Sequence, residues 1–144
     1  MIYTFSIFNR KCNCVYFREW NRPASDPQRV MEDQSLMYGM LFSMKLFCTK
    51  MAPHEDQRTQ LHCYRTSAYK LHFYESLTGV KMVLLTDPDS PDLHDVLYNL
   101  YRDVYVDYVV KNPFVLRDYT STINCELFSD RVQGFLEKYI NQRN

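Results

Sequence analysis

The segment that most restricts how this chain folds is residues 34–51, where apolar side chains recur on nearly every side of a predicted helix. One stripe recurs at three- and four-residue steps and is expected to face the core: Met37, Leu41, Met44, Cys48 and Met51. Two further rows lie beside it: Leu36, Met40 and Phe47, and then Tyr38, Phe42 and Leu46. A domain of 144 residues covers only one side of a surface helix, so a helix that is apolar all round is normally covered by something additional.

Charge and composition exclude several classes of function. The 17 basic and 17 acidic side chains cancel, so there is no broad field to hold nucleic acid or an anionic membrane surface. The N-terminus lacks a basic leader and a long apolar block, and no segment reaches the roughly 20 apolar residues of a membrane span. The five scattered cysteines, an odd number, are typical of reduced thiols. We therefore expect a cytosolic protein that does not bind nucleic acid.

The first half of the chain predicts a hairpin followed by the apolar helix. Residues 2–8 and 14–20 have the β-branched and aromatic mixture of strands, the first of them central. Residues 21–27 combine two prolines with turn-forming side chains and predict a surface loop. The helical period begins at about residue 33 and ends before Pro53.

The second half predicts three strands and two helices. Short strands are expected at residues 61–66, 69–75 and 80–86, the last two joined by a turn at Gly79. A long helix is expected to begin with Ser90 as cap and Pro91 in its first position, and to end before Pro113. A shorter helix follows at residues 127–140. Residues 1–144 therefore predict a single α+β domain, with a five-stranded antiparallel sheet carrying one helix on one face and two on the other.

No pattern in the sequence predicts a catalytic, cofactor or metal site. Cys12 and Cys14 with His62 and Cys63 have the wrong spacing for zinc knuckles, and ordinary packing accounts for them. Turn chemistry and helix capping account for the acidic residues Asp87, Asp89 and Asp92. With three isolated glycines, neither a dinucleotide fingerprint nor a phosphate-binding loop can be written.

The abundance of tyrosine and methionine instead favours protein contacts. Twelve tyrosines and seven methionines exceed ordinary usage, and although most aromatic side chains are expected in the core, an exposed minority would form a contact surface. The two outer rows of the apolar helix are the candidate partner-binding residues: Leu36, Tyr38, Met40, Phe42, Leu46 and Phe47.

Five segments carry a resemblance to a known family: residues 36–44 (LMYGMLFSM), 66–75 (TSAYKLHFYE), 78–81 (TGVK), 105–113 (YVDYVVKNP) and 126–128 (ELF). In these segments the chain resembles the subunit 1 family of the trafficking protein particle (TRAPP) complex, small longin-type subunits of the sedlin/synbindin group. The match runs in order from about residue 3 to residue 139, and residues 21–32 lie outside it.

The resemblance implies a longin-like fold and a non-catalytic role in a vesicle-tethering complex. Its implied partners are other TRAPP subunits, of longin and α/β types, and a Rab-family GTPase reached through the assembled complex. In that family a composite surface of several subunits exchanges the GTPase nucleotide in transport from the endoplasmic reticulum to the Golgi. The resemblance thus implies a cytoplasmic protein that associates indirectly with Golgi and endoplasmic reticulum membranes, and no cofactor.

Two other classes of protein remain as alternatives. The longin head of a SNARE would need a heptad segment and a membrane anchor after the domain, and the sequence ends at Asn144 without either. A small thiol or metal enzyme would need a cysteine paired with a histidine or a ligand cluster, and no local signature selects one.

Overall fold

A computed structural model describes residues 1–20, 26–54, 59–113, 122–123 and 125–141. The first half contains two strands and a long helix, in the order β1 (Ile2–Phe8), β2 (Cys14–Glu19) and α1 (Pro27–Met51). Three strands follow: β3 (Cys63–Arg65), β4 (Lys70–Glu75) and β5 (Lys81–Thr86). The remaining elements are helical: α2 (His94–Leu100), a π-helical segment (Tyr101–Val110) that continues it, and α3 (Glu126–Asn141).

The five strands form one antiparallel sheet in the order β2-β1-β5-β4-β3. β1 has a neighbour on each side, as predicted, because β5 returns beside it and pairs Phe5 with Leu84. Gly79 has a φ of +88° in the turn before β5, a conformation that glycine adopts without strain, so the predicted turn is confirmed. A side chain there would also meet Arg10 of the first hairpin, since an added Cβ lies 3.1 Å from its Cγ.

Each face of the sheet buries its own apolar cluster. On one face α1 packs against alternate sheet residues, among them Phe8, Leu71, Phe73 and Val83. On the other face α2, the π-helical segment and α3 cover Phe5, Ile7, Met82 and Leu84. This alternation follows from the period-two direction of side chains along a strand. The predicted α+β, longin-like arrangement of one helix on one face and two on the other is confirmed.

The helix α1 begins earlier than predicted. Pro27 occupies its first turn, where the missing N–H costs nothing, and the Asp26 carboxylate accepts a hydrogen bond from the Gln28 N–H at 3.3 Å. The predicted loop at residues 21–27 is therefore wrong at Pro27, which is helical, because a proline is favoured in the first turn of a helix. The rest of that loop, residues 21–25, lies outside the described residues.

The second long helix also begins elsewhere than predicted. Ser90 closes a turn by donating its N–H to the Asp87 carbonyl at 3.2 Å, so it is no helix cap. The first helical residue is His94, whose N–H donates to the Asp92 carboxylate at 3.0 Å. From Tyr101 the hydrogen bonding changes to the wider π type, which ends when Lys111 donates to the Val106 carbonyl.

The strand β3 is shorter than predicted, since it spans Cys63–Arg65 in place of residues 61–66. Leu61 is instead buried in the cluster beneath α1. Among the helices of the described ranges, none is both long and apolar enough to cross a membrane.

Candidate protein interface

The outward face of α1 carries an uncharged strip of seven exposed residues. Four are large and apolar, with exposed fractions of 72% for Leu36, 61% for Phe42, 48% for Leu46 and 55% for Phe47. Between them lie three small residues: Ser35, Gly39 and Ser43. A Cβ added at Gly39 would meet nothing within 4 Å, so the middle of the strip is open. We call these seven residues the α1 strip.

Tyr38 and Met40, the other two predicted contact residues, are only partly exposed and pack against the core. The Tyr64 hydroxyl donates to the Met40 Sδ at 3.0 Å, which ties that side chain to β3. A hydrogen bond with Cys12, the largest cause, raises the pKa of Tyr38. Four of the six predicted contact residues therefore face outward, and they come from both predicted rows: Leu36, Phe42, Leu46 and Phe47.

The core-facing side of α1 packs against the sheet. Leu41 is buried, and Met37, Met44 and Cys48 pack beside it as predicted. The Lys45 ammonium pairs with the Glu75 carboxylate of β4, which also lies 3.8 Å from Lys81 of β5.

The apolar surface extends beyond the predicted residues at both ends of the helix. Met51 was predicted to face the core but is 66% exposed, because it is the last helical residue and has no sheet beneath it. Met31 is 69% exposed, and the sequence prediction missed it because it placed residues 21–32 outside the helix. The period of the apolar residues, extended back to Pro27, would have found it.

Groups that could perform chemistry are separated or already bonded. Asp87 binds the amino terminus at 2.6 Å, Asp89 binds Arg65 at 3.1 Å, and Asp92 accepts the N–H of His94. Burial, the largest cause, raises the pKa of the Cys14 thiol to about 11, so that thiol is a poor nucleophile at neutral pH. Within the described ranges, no three His, Cys, Asp or Glu side chains are close enough to hold a metal ion.

Comparison with known proteins agrees with the fold. Residues 2–139 match the Sybindin-like family. Trafficking protein particle complex subunit 1 from Dictyostelium discoideum is 40% identical over 96% of both chains, and the protein of the same name from Homo sapiens is 38% identical over 94% of this chain and 91% of its own. Transport protein particle subunit bet5 from Schizosaccharomyces pombe is 34% identical over 94% of this chain and 95% of its own. The chain belongs to the Sybindin-like family.

Proposed function

We propose that this chain is a non-catalytic subunit of the TRAPP vesicle-tethering complex and that the α1 strip is a contact with a neighbouring subunit. The observation that carries the proposal is the uncharged, apolar outer face of a helix whose other side is fully used by the core. Interface cores are depleted in charge and enriched in aromatic residues and methionine. Relatives that span nearly the whole chain are named as subunits of that complex.

The size of the strip indicates that it is only part of the contact. Complete burial of a large apolar side chain contributes about 1.5–3 kcal/mol, so covering the exposed parts of Leu36, Phe42, Leu46 and Phe47 contributes about 4–7 kcal/mol. Association costs about 4–15 kcal/mol in lost freedom of motion. A stable complex therefore needs further surface, such as Met31 and Met51 at the ends of the helix.

The proposed partners, process and location follow from the family resemblance. The neighbours are longin-type and α/β-type subunits, and the assembled surface exchanges nucleotide on a Rab-family GTPase during transport from the endoplasmic reticulum to the Golgi. The chain supplies surface and no catalytic group to that reaction, consistent with the separated and bonded polar side chains of the described residues. It is cytoplasmic and lies at Golgi and endoplasmic reticulum membranes through its partners.

Charge substitution in the α1 strip tests the proposal. Phe42→Asp places a carboxylate in the centre of the contact, where a desolvated, unpaired charge should weaken assembly by about a hundredfold or more. Leu77→Asp is the matched control, since Leu77 is 102% exposed at the turn before β5 and lies outside the strip. Met40→Asp is unsuitable, because Met40 is partly buried and would report on folding.

The measurement is recovery of partner subunits after co-expression with each tagged variant, with thermal unfolding followed by circular dichroism. We expect Phe42→Asp to keep the unfolding temperature of the wild type and to recover almost no partner, while Leu77→Asp recovers partners normally. Normal recovery with a folded Phe42→Asp variant would show that the strip is no subunit contact.

A further inference from the structure

An apolar cleft of about 540 Å³ lies beside the α1 strip. One wall is the edge of α1, where Asp33, Leu36, Met37 and Met40 occupy successive turns. The remaining lining comes from the sheet and the β3–β4 turn: Tyr3, Tyr64, Ala68, Tyr69, Leu71 and Leu85. Leu36 belongs to both the strip and the cleft, so whatever covers the strip also reaches the cleft. Volumes of this size are typical of specific binding pockets.

Two tyrosine hydroxyl oxygens on the β3 side of the cleft can accept hydrogen bonds. The Tyr64 hydroxyl has one hydrogen and lies 3.0 Å from the Met40 Sδ, which can only accept. The Tyr69 hydroxyl lies 2.9 Å from that of Tyr64, and either hydroxyl can be the donor of that pair. In either arrangement the pair keeps oxygen lone pairs that can accept a hydrogen bond from a ligand. Burial, the largest cause, raises the pKa of Tyr64, so its hydroxyl stays protonated across the physiological pH range.

One carboxylate stands at this cleft without a partner. Asp33 is the only charged side chain among the described lining residues, and no described residue donates a hydrogen bond to it or forms an ion pair with it. Several acidic side chains elsewhere have cationic partners, among them Glu75, Asp87, Asp89, Asp103 and Asp107. A partly buried carboxylate beside aromatic rings, with acceptor atoms next to it, favours a cation.

The tyrosine rings are held in place before any ligand binds. Tyr64 and Tyr69 meet edge to face, with centroids 6.0 Å apart and ring planes at 72°. The turn between them is fixed by Thr66, whose hydroxyl accepts from the Tyr69 N–H at 3.0 Å and from the Ala68 N–H at 3.2 Å. The small side chain of Ala68 leaves the space above the rings open.

We propose that this cleft binds an arginine side chain from the protein that covers the α1 strip. The guanidinium would pair with Asp33, donate to the Tyr69 hydroxyl oxygen and stack on the tyrosine rings, while its aliphatic stem contacts Met37 and Leu36. Arginine suits these groups better than lysine, because its planar, weakly hydrated cation stacks on aromatic faces and pairs with carboxylates through two parallel bonds. The inference rests on the proposed function for the origin of the arginine.

Two isosteric probes test the chemistry of the cleft without any partner. N-acetyl-arginine amide and N-acetyl-citrulline amide have nearly the same shape, but only the first is charged. In NMR titrations of the full chain we expect the arginine probe to shift the signals of Asp33, Ala68 and Tyr69, and to bind about tenfold more tightly than the citrulline probe. Asp33→Asn should reduce the affinity for the arginine probe to that for the citrulline probe.

Glu32→Gln is the matched control, because it removes the same charge from the adjacent, solvent-exposed position of α1 and should leave the arginine response unchanged. Equal responses to the two probes, or no shift at the cleft up to the solubility limit of the arginine probe, would overturn the inference. If Phe42→Asp abolishes assembly while the probes bind equally, the inference alone fails. If the arginine probe binds selectively while Phe42→Asp assembles normally, the proposed function alone fails.

Discussion

Lowering the pH should destabilise this domain through one buried histidine, His72 of β4. Its side chain is fully buried, and both ring nitrogens have partners that suit only the neutral form. Nδ1 accepts the N–H of Leu93 at 3.3 Å, so the proton is on Nε2, which donates to the Thr86 hydroxyl at 2.9 Å. Thr86 in turn donates to the Asp87 carbonyl at 3.2 Å. The chain of bonds ties β4 and β5 to the residue that precedes α2.

The size of the effect follows from the pKa of His72. Burial, the largest cause, and the nearby Lys70 ammonium lower this pKa from 6.5 to about 4, against a smaller opposing effect of Asp92 and Asp87. Between those two values the unfolded chain binds a proton that the folded chain does not, so the free energy of unfolding falls as the pH falls. Each unit of difference corresponds to about 1.4 kcal/mol, so the loss from pH 6.5 to pH 4 is about 3 kcal/mol.

Urea denaturation at a series of pH values, followed by circular dichroism, measures this loss. The variant His72→Gln cannot titrate, so its free energy of unfolding should lack the His72 contribution to the slope above pH 4, whatever its stability at neutral pH. His54→Gln, at an exposed position outside this hydrogen-bond chain, should retain the wild-type slope. An unchanged slope in His72→Gln would refute the assignment of the neutral, buried form of His72.

Two further predictions concern packing and backbone geometry. Leu41→Ala should lower the free energy of unfolding by about 2–5 kcal/mol, because Leu41 is 1% exposed on the sheet-facing side of α1 and its loss leaves a cavity. Leu46→Ala, in the half-exposed strip, should cost less than about 1 kcal/mol, and equal costs in urea denaturation would contradict the assignment of the two faces. Gly79→Ala should cost about 1 kcal/mol or more, because φ is +88° and the added Cβ would approach Arg10. Thermal unfolding measures this cost, and an unchanged midpoint would show that the turn relaxes freely.

The sequence predicted the order of elements and the two-faced sheet because alternation and helical spacing are local signals. Its errors lie at boundaries where tertiary contacts decide. Ser90 and Pro91 have the composition of a helix start, but the N–H of Leu93 is bound to His72, and the helix begins only at His94. The change to π-type hydrogen bonding at Tyr101 has no sequence signal in this chain, since the apolar spacing of Leu100 and Val104 is also that of an α-helix.

The candidate interface was predictable in its general position but not in its detail. Apolar residues on all sides of α1 indicated a second covered face, yet the spacing alone could not show which residues the sheet would use. Met40 is held by Tyr64, which lies far from it in sequence, and Tyr38 packs against the cluster beneath α1. Asp33 was outside every motif, because an acidic residue in the first half of a helix is ordinary. Its significance depends on Tyr64 and Tyr69, which the β3–β4 hairpin brings beside it.

The α1 strip and the neighbouring cleft would contribute differently to one contact. Apolar burial is not directional, so the strip alone would allow a partner to slide or rotate along the helix. A charged group in a cleft with fixed acceptors restricts the geometry, because a shift of the partner leaves Asp33 and the incoming cation unpaired and partly desolvated. On this proposal the strip would supply non-directional affinity and the cleft would supply the register of the contact. Removing the Asp33 charge should therefore change partner choice more than total affinity.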